Sequence, residues 1–250
     1  MDKRITLAIV ILVMVFSVLA CEVTFTGIDS ASGSIRGSGD VRQEDRNVSG
    51  ISGVELAMQG TLTIELGSSE SLSIEAEDNL LEHIQTDVSA GTLTIETERG
   101  TNLRNTKPIN FFLTVTELDS IRISSSGDIM APDLEADRFS ISISSSGDLT
   151  MGDLDCTSLS VESSSSGKLS LNSLEAETID VRISSSGKYL AEDLASAEAD
   201  VTLTSSGTAR IRVSDRLSGR LSSSGDVYYI GDPRVNVSTS SSGRTVQVED

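Results

Sequence analysis

The stretch from Ser142 to Leu190, "SISSSGDLTMGDLDCTSLSVESSSSGKLSLNSLEAETIDVRISSSGKYL", contains the same pattern three times: serines, then glycine, then one charged residue. Seven glycines of the chain end such a pattern, at intervals of 20, 20, 20, 20, 18 and 18 residues: Gly127, Gly147, Gly167, Gly187, Gly207, Gly225 and Gly243. An interval near twenty residues is too long for a heptad and too short for a helical-pair repeat. It is typical of solenoids.

Apolar residues recur at fixed distances from these glycines. Six residues before each glycine stand Ile121, Ile141, Val161, Val181, Val201, Gly219 and Val237, and two after it stand Ile129, Leu149, Leu169, Tyr189, Ala209, Val227 and Thr245. Steps of two within a coil put such side chains on one face of a strand. The sequence therefore predicts an all-β fold, a parallel β-solenoid (β-helix-like) with coils of about 20 residues that pair about 4.8 Å apart.

The serine–glycine pattern itself is interpreted as a structural corner. Glycine is expected because a corner requires a backbone conformation that a residue with Cβ resists. The serines are expected to bond turn backbone or their neighbours in the next coil. The two 18-residue intervals predict a trimmed loop, around Ser214–Arg216 in one coil and near Gly231–Pro233 in the next.

The composition excludes several classes of function. The net charge is −19, which disfavours binding to nucleic acid. Aromatic residues make up 3% of the chain and Trp is absent, so platforms for stacking sugars or bases are not expected. With 37% hydrophobic positions in 250 residues, the chain can bury a substantial core.

The N-terminus predicts export. "MDKR" is a basic n-region, Ile5–Leu19 is an uninterrupted apolar run, and Ala20 precedes Cys21. This layout is typical of a lipoprotein signal peptide at 1–20, with lipid on Cys21 and the membrane as partner. An ordinary signal peptide and an uncleaved anchor are the alternatives. Residues 21–47 are interpreted as a Gly/Ser-rich tether.

From Val48 onward the chain resembles a known family. The residues that carry the resemblance are the entry "VSGISGVEL", the segment "LTIELGSSESLSIEAEDNLL" and the recurring "ISSSGD" corner. They are similar to the head GIN domain of auto-transporter adhesins, and the resemblance covers about 48–248. It implies a β-helix-like fold and an envelope lipoprotein, and it offers no catalytic residues. Lys168 and Lys188 stand where the family pattern would have Asp.

No catalytic residues are predicted. His83 is the only histidine, and no Gly-x-Ser-x-Gly elbow is present. The "SSSGK" corners lack the glycine and the Ser/Thr of a phosphate-binding loop. Cys156 takes the place of Ala136 and Ala176 in neighbouring coils, so a buried, unreactive thiol is expected.

The residues after the corner glycines are expected to form a column, with Asp128 over Asp148. They are weak candidates for a calcium site, and solvated carboxylates beside Lys168 are the favoured interpretation, so neither a metal nor any other cofactor is predicted. The basic cluster of Arg210, Arg212, Arg216 and Arg220 is expected to pair with neighbouring carboxylates.

These features favour a non-catalytic, lipid-anchored envelope protein that acts as an adhesin-like binding or structural module. Its ligand would be an unidentified surface glycan or protein, and its oligomeric state is left open. Two alternatives stand beside it: a carbohydrate-active β-helix enzyme resembling polysaccharide lyases, and a passive envelope scaffold.

Overall fold

The structure is a computed structural model that describes residues 33–184, 186, 188–190, 193–240 and 242–249. The chain separates into two compact units, Met1–Gly33 and Ser34–Asp250, and almost all described residues belong to the second. The predicted signal peptide, Cys21 and Gly187 lie outside the described residues. In the described part of the chain, no helix combines the length and the apolar character that crossing a membrane requires.

The second unit is built almost wholly from strands, with 66% strand and 2% helix. Its elements, in chain order, are β1 Gly33–Arg36, β2 Val41–Arg46, β3 Gly53–Leu56, β4 Thr61–Leu66, β5 Ser71–Glu77, α1 Asp78–Leu81, β6 Ile84–Ser89, β7 Thr92–Thr97, β8 Thr101–Arg104, β9 Asn110–Val115, β10 Ser120–Ile123, β11 Asp128–Ala131, β12 Leu134–Ile143, β13 Leu149–Ser163, β14 Lys168–Ile183, β15 Lys188–Leu190, β16 Asp193–Leu203, β17 Thr208–Leu221, β18 Asp226–Ile230, β19 Arg234–Thr239 and β20 Arg244–Gln247.

From β10 onward the chain winds as a parallel β-solenoid, and the predicted fold class is confirmed. Each coil pairs with the next in a register of twenty residues, as in Leu149 with Leu169 and Leu159 with Ile179. The solenoid has about six turns of about 20 residues. Equivalent apolar side chains therefore stack along the core, because a constant register brings the same position of successive coils together.

The first coil precedes β10 in space but not in continuous sequence. Strands β3 and β4 pair in parallel with β10 and β11, in the registers Ile121 with Val54 and Ile129 with Leu62. Gly60 stands directly before β4, as Gly127 stands before β11, and the Gly60 carbonyl accepts a bond of 2.9 Å from the Asp128 amide. Gly60 is thus the first corner of the column, 67 residues before Gly127.

The residues between this coil and β10 close the N-terminal end. Strands β7 and β9 extend the two sheets in parallel, and β5, β6 and β2 then add to them in antiparallel orientation. The β6–β7 hairpin turns at Ala90 and Gly91, whose φ angles of 49° and 81° fit a tight hairpin turn. Strands β1 and β2 lie within the predicted tether. The tether prediction is therefore wrong from residue 33 onward, because residues 41–46 pair with β5.

The core is a filled interior of aliphatic side chains. Inward positions such as Leu56, Ile123 and Leu203 have no solvent exposure. Ser163 is the exception, since it occupies the column of Ile143 and Ile183, and its hydroxyl has no hydrogen-bond partner. A polar group without a partner in such a place costs stability.

Candidate functional site

The corner glycines form a stack in which each approaches the one before it. A Cβ on Gly147 would collide with the carbonyl oxygen of Gly127, and one on Gly167 would collide with that of Gly147. None of these three residues has a positive φ. The conformational reason expected for the glycines is therefore wrong. Glycine is required because the backbone of the preceding coil leaves no room for a side chain.

The corner serines bond backbone as predicted. The hydroxyl of Ser144 donates to the Ile123 carbonyl at 3.4 Å, Ser240 donates to Leu221 at 3.5 Å, and Ser165 donates to the Ser145 carbonyl. Each of these bonds joins one coil to its predecessor. The hydroxyls thus satisfy carbonyls at a corner, where the strand ladder is interrupted.

The aspartates that follow the glycines accept backbone bonds. The Asp128 carboxylate accepts from the Asp148 amide at 3.0 Å, and the Asp148 carboxylate accepts from the Lys168 amide at 2.9 Å. At the last corner, Asp226 accepts from the amide and guanidinium of Arg244, and these bonds lower the pKa of Asp226. These carboxylates act as links between coils. In the described part of the chain, no group of three or more His, Cys, Asp or Glu residues is arranged to hold a metal ion.

The two short coils produce a step in the surface. Leu190 pairs with Arg210 and Ser196 with Val213, so residues 191–195 face only Ile211 and Arg212. One residue is regained between Val213 and Arg216, which leaves the coil two residues shorter. The shortening thus precedes the predicted Ser214–Arg216. At Gly231–Pro233 the path is unchanged, because the offset stays at 18.

A groove of about 650 Å³ lies along this step. Its floor includes Cys156, Ala176 and Ser196, which are 4–6% exposed. The prediction that Cys156 is buried is confirmed, and burial, followed by the nearby Asp155, raises the pKa of its thiol to about 11. A thiol with so high a pKa remains protonated and is a poor nucleophile at neutral pH. The groove therefore offers shape and charge but no activated nucleophile.

Carboxylates line this groove and continue along the same face. Glu135, Asp155 and Glu175 occupy equivalent positions in three successive coils. Two further grooves, of about 620 and 570 Å³, contain members of this column. Asp153, one strand position away, accepts bonds from Asn172 and Ser173 that lower its pKa. The result is an acidic face with shallow, open concavities.

The single histidine contacts carboxylates. The Nδ1 atom of His83 lies 2.8 Å from Glu98, and Nε2 lies 3.7 Å from Glu82. These contacts do not include the serine or cysteine that a triad requires. In the basic cluster, Arg216 pairs with Glu198 as expected. Arg210 and Arg212 also have interaction partners.

A buried carboxylate was not singled out by the sequence. Glu77 has no solvent exposure, and it accepts bonds from the Gly39 amide, the Thr106 amide and hydroxyl, and the Lys107 amide. The Thr106 hydroxyl makes the largest contribution to lowering the pKa of Glu77 to about 2. The position carries no charge pattern that distinguishes it from the exposed glutamates, because its partners are backbone amides and one threonine.

Comparison with known proteins gives the family. Residues 50–233 match the family described as "Putative auto-transporter adhesin, head GIN domain". No curated protein matches the chain. A "putative adhesin" from Bacteroides fragilis is similar in structure, with a TM-score of 0.81, 20% identity, and coverage of 86% of this chain and 100% of the other.

Two more solved structures are similar over 86% of this chain and 99% of their own. One is a "putative adhesin" from Parabacteroides merdae, with a TM-score of 0.69 and 17% identity. The other is a "Putative lipid binding protein" from Parabacteroides distasonis, with a TM-score of 0.69 and 21% identity. At these identities the structures share the fold with this chain. The family match spans most of the sequence, and the chain belongs to the head GIN domain family of auto-transporter adhesins.

Proposed function

We propose that the protein is a non-catalytic binding module of the cell envelope, anchored by lipid on Cys21, with a surface glycan or protein as its ligand. The observation that carries this proposal is the repetition of outward side chains at one-coil intervals. Ser120, Ser140 and Ser160 form one such column, and Glu135, Asp155 and Glu175 form another. Equivalent weak contacts in a row give a ligand with repeating groups a multivalent surface.

The step groove is the first surface to test for ligand contact. It combines a floor of small buried side chains with walls that include Asp155, Glu175 and Glu177 on one side and Arg212 and Asp232 on the other. A ligand with cationic or hydrogen-bond-donating groups fits such walls, since opposite charge favours encounter and orientation. The family and the names of the structural neighbours agree with binding rather than catalysis.

The test uses the unit Ser34–Asp250. Every buried hydrophobic residue among those described lies within this unit, which therefore has its own core. We expect the labelled unit to bind whole cells or glycans on an array, and Glu175→Lys to weaken that binding at least tenfold. Glu162→Lys, an exposed charge reversal on another face, serves as control. If the unit binds no cell, glycan or cell-surface protein, the binding proposal fails.

Anchoring and catalysis are tested separately. We expect Cys21→Ser to move the full chain from the membrane fraction to the soluble fraction. We also expect no unsaturated products when the unit is incubated with acidic polysaccharides. Turnover of such a polysaccharide would establish the lyase-like alternative instead.

A further inference from the structure

The two ends of the solenoid differ in how their outermost strands are protected. At the N-terminal end, β2 is the last strand of one sheet, and four of its six residues are charged: Arg42, Glu44, Asp45 and Arg46. Charged residues on an edge strand discourage pairing with another chain. At the other end, β20 is the last strand of this same sheet and β19 is the last strand of the opposite sheet.

Among the described residues, no strand pairs with the outer edges of β19 and β20. Strand β19 pairs with β17 only, and β20 pairs with β18 only. The core also ends there without a cover. Val235 stacks on the fully buried Leu217, yet it is 45% exposed. This end therefore presents free backbone groups together with the last layer of the core.

The charge of this end favours contact with a like molecule. Residues 226–247 contain two acidic residues, Asp226 and Asp232, and two basic ones, Arg234 and Arg244, so their net charge is zero in a chain of −19. Asp226 and Arg244 are already paired, at 2.7 Å. Two copies that meet at this end avoid the repulsion that the acidic remainder of the chain would cause.

The geometry of the short coils permits a symmetric contact. A full coil such as β13 pairs with its neighbour through three segments, whereas the last coils have two, exemplified by β18 and β19. Two strands on opposite faces can both be paired by one two-fold axis that passes through the sheets. Such an axis makes β19 antiparallel to β19 of a second copy, and β20 antiparallel to its own equivalent.

We propose that the outer edges of β19 and β20 are a self-association surface, and that their partner is the same edge of a second copy of this chain. The pairing continues both sheets across the contact and covers Val235. It also directs the N-terminal ends of the two copies away from each other. If the chain is anchored through Cys21, this arrangement joins two facing membranes; that consequence rests on the proposed function, whereas the pairing does not.

The pairing is tested by the mass of the unit Ser34–Asp250 as its concentration is raised, measured by sedimentation equilibrium. We expect a monomer–dimer equilibrium that stops at the dimer. Val235→Lys places a charge at the uncovered end of the core and should weaken the dimer at least tenfold. Val41→Lys is the matched control, because Val41 is 43% exposed and lies on β2 at the opposite end. The control should dimerise like the wild type, and the melting temperatures of all three should agree.

A second measurement does not depend on whether Val235→Lys folds. Asn236 lies near the middle of β19, so Asn236→Cys should give a disulfide-linked dimer under mild oxidation, while Gln43→Cys on β2 should remain monomeric. Cys156 is buried and does not interfere. A wild-type unit that stays monomeric, mass that grows without limit, or equal cross-linking of both variants would overturn the proposal. A dimer of the unit that is absent in the full chain would also overturn it, because residues 1–33 would then occupy the edge.

Adhesion is read separately, with beads that carry the unit through its N-terminus. Clumping that Val235→Lys abolishes supports a homophilic contact between surfaces. Dimers in solution without clumping would retain the pairing and reject its adhesive consequence.

Discussion

At the residue scale, the corner glycines show how a repeated residue can be required for a reason that its own conformation does not reveal. Gly147 has an ordinary φ, but the carbonyl of Gly127 occupies the space that a side chain would need. The obstacle is backbone, which cannot move aside without shifting a whole coil. Each corner glycine is therefore a packing requirement between coils.

The first prediction concerns this close approach. Gly147→Ala should lower the free energy of unfolding by about 2–3 kcal/mol, as expected for overpacking against a rigid neighbour. Urea denaturation of the unit Ser34–Asp250 measures it. Gly33→Ala is the control, since a Cβ on Gly33 meets nothing within 4 Å. Equal stability of the two variants would show that the corner can relax.

The second prediction concerns the buried serine of the core. Ser163→Val should raise the free energy of unfolding by about 1–2 kcal/mol, because it removes an unpaired hydroxyl and fills space that isoleucine occupies in both neighbouring coils. Ser160→Val, at an exposed position of the same strand, should change it little. Destabilisation by Ser163→Val would mean that the hydroxyl has a partner such as a bound water.

At the element scale, the N-terminal end depends on one carboxylate. Glu77 ends β5 and joins the loop at Gly39, before β2, to the loop at Thr106 and Lys107, before β9. These loops connect strands of different pairing direction, so no regular ladder holds them together. A buried acceptor with two oxygens satisfies several of their amides at once.

The third prediction follows from the pKa of this group. Since the pKa of Glu77 is about 2 in the folded protein and 4.5 is its ordinary value, its contribution to stability is complete above about pH 5. It is lost as the pH falls through 4.5 towards 2. Glu77→Gln should lower Tm by several degrees at pH 7, because an amide nitrogen would then face amide donors. The difference in Tm between the two proteins should shrink between pH 5 and 2.

Calorimetry across this pH range provides the measurement. Glu65→Gln, on the exposed end of β4, is the control and should leave the pH dependence of Tm unchanged. A difference between wild type and Glu77→Gln that stays constant down to pH 2 would contradict the assigned pKa.

At the scale of the whole molecule, the repeated part of the fold follows from the sequence and the ends do not. Period, inward columns and corner positions are all legible because each coil repeats them. Gly60 is not, since 67 residues separate it from Gly127 and "AMQG" replaces the serines. The step groove depends on where residues are lost within a coil. Glycine spacing gives the length of that loss but not its place.

A solenoid of equivalent coils should tolerate the removal of one complete coil, and this is the fourth prediction. Deleting Asp148–Gly167 joins Gly147 to Lys168, restores every inward column, and lets the Asp128 carboxylate accept from the Lys168 amide as Asp148 does now. The shortened unit should keep its strand content per residue by circular dichroism and melt only a few degrees lower, because the loss is one coil and one interface between coils. Deleting Asp148–Thr157, half a coil, should instead prevent folding, since every later column would then meet the wrong positions. Folding of both deletions to the same extent would mean that the register between coils does not hold the molecule together.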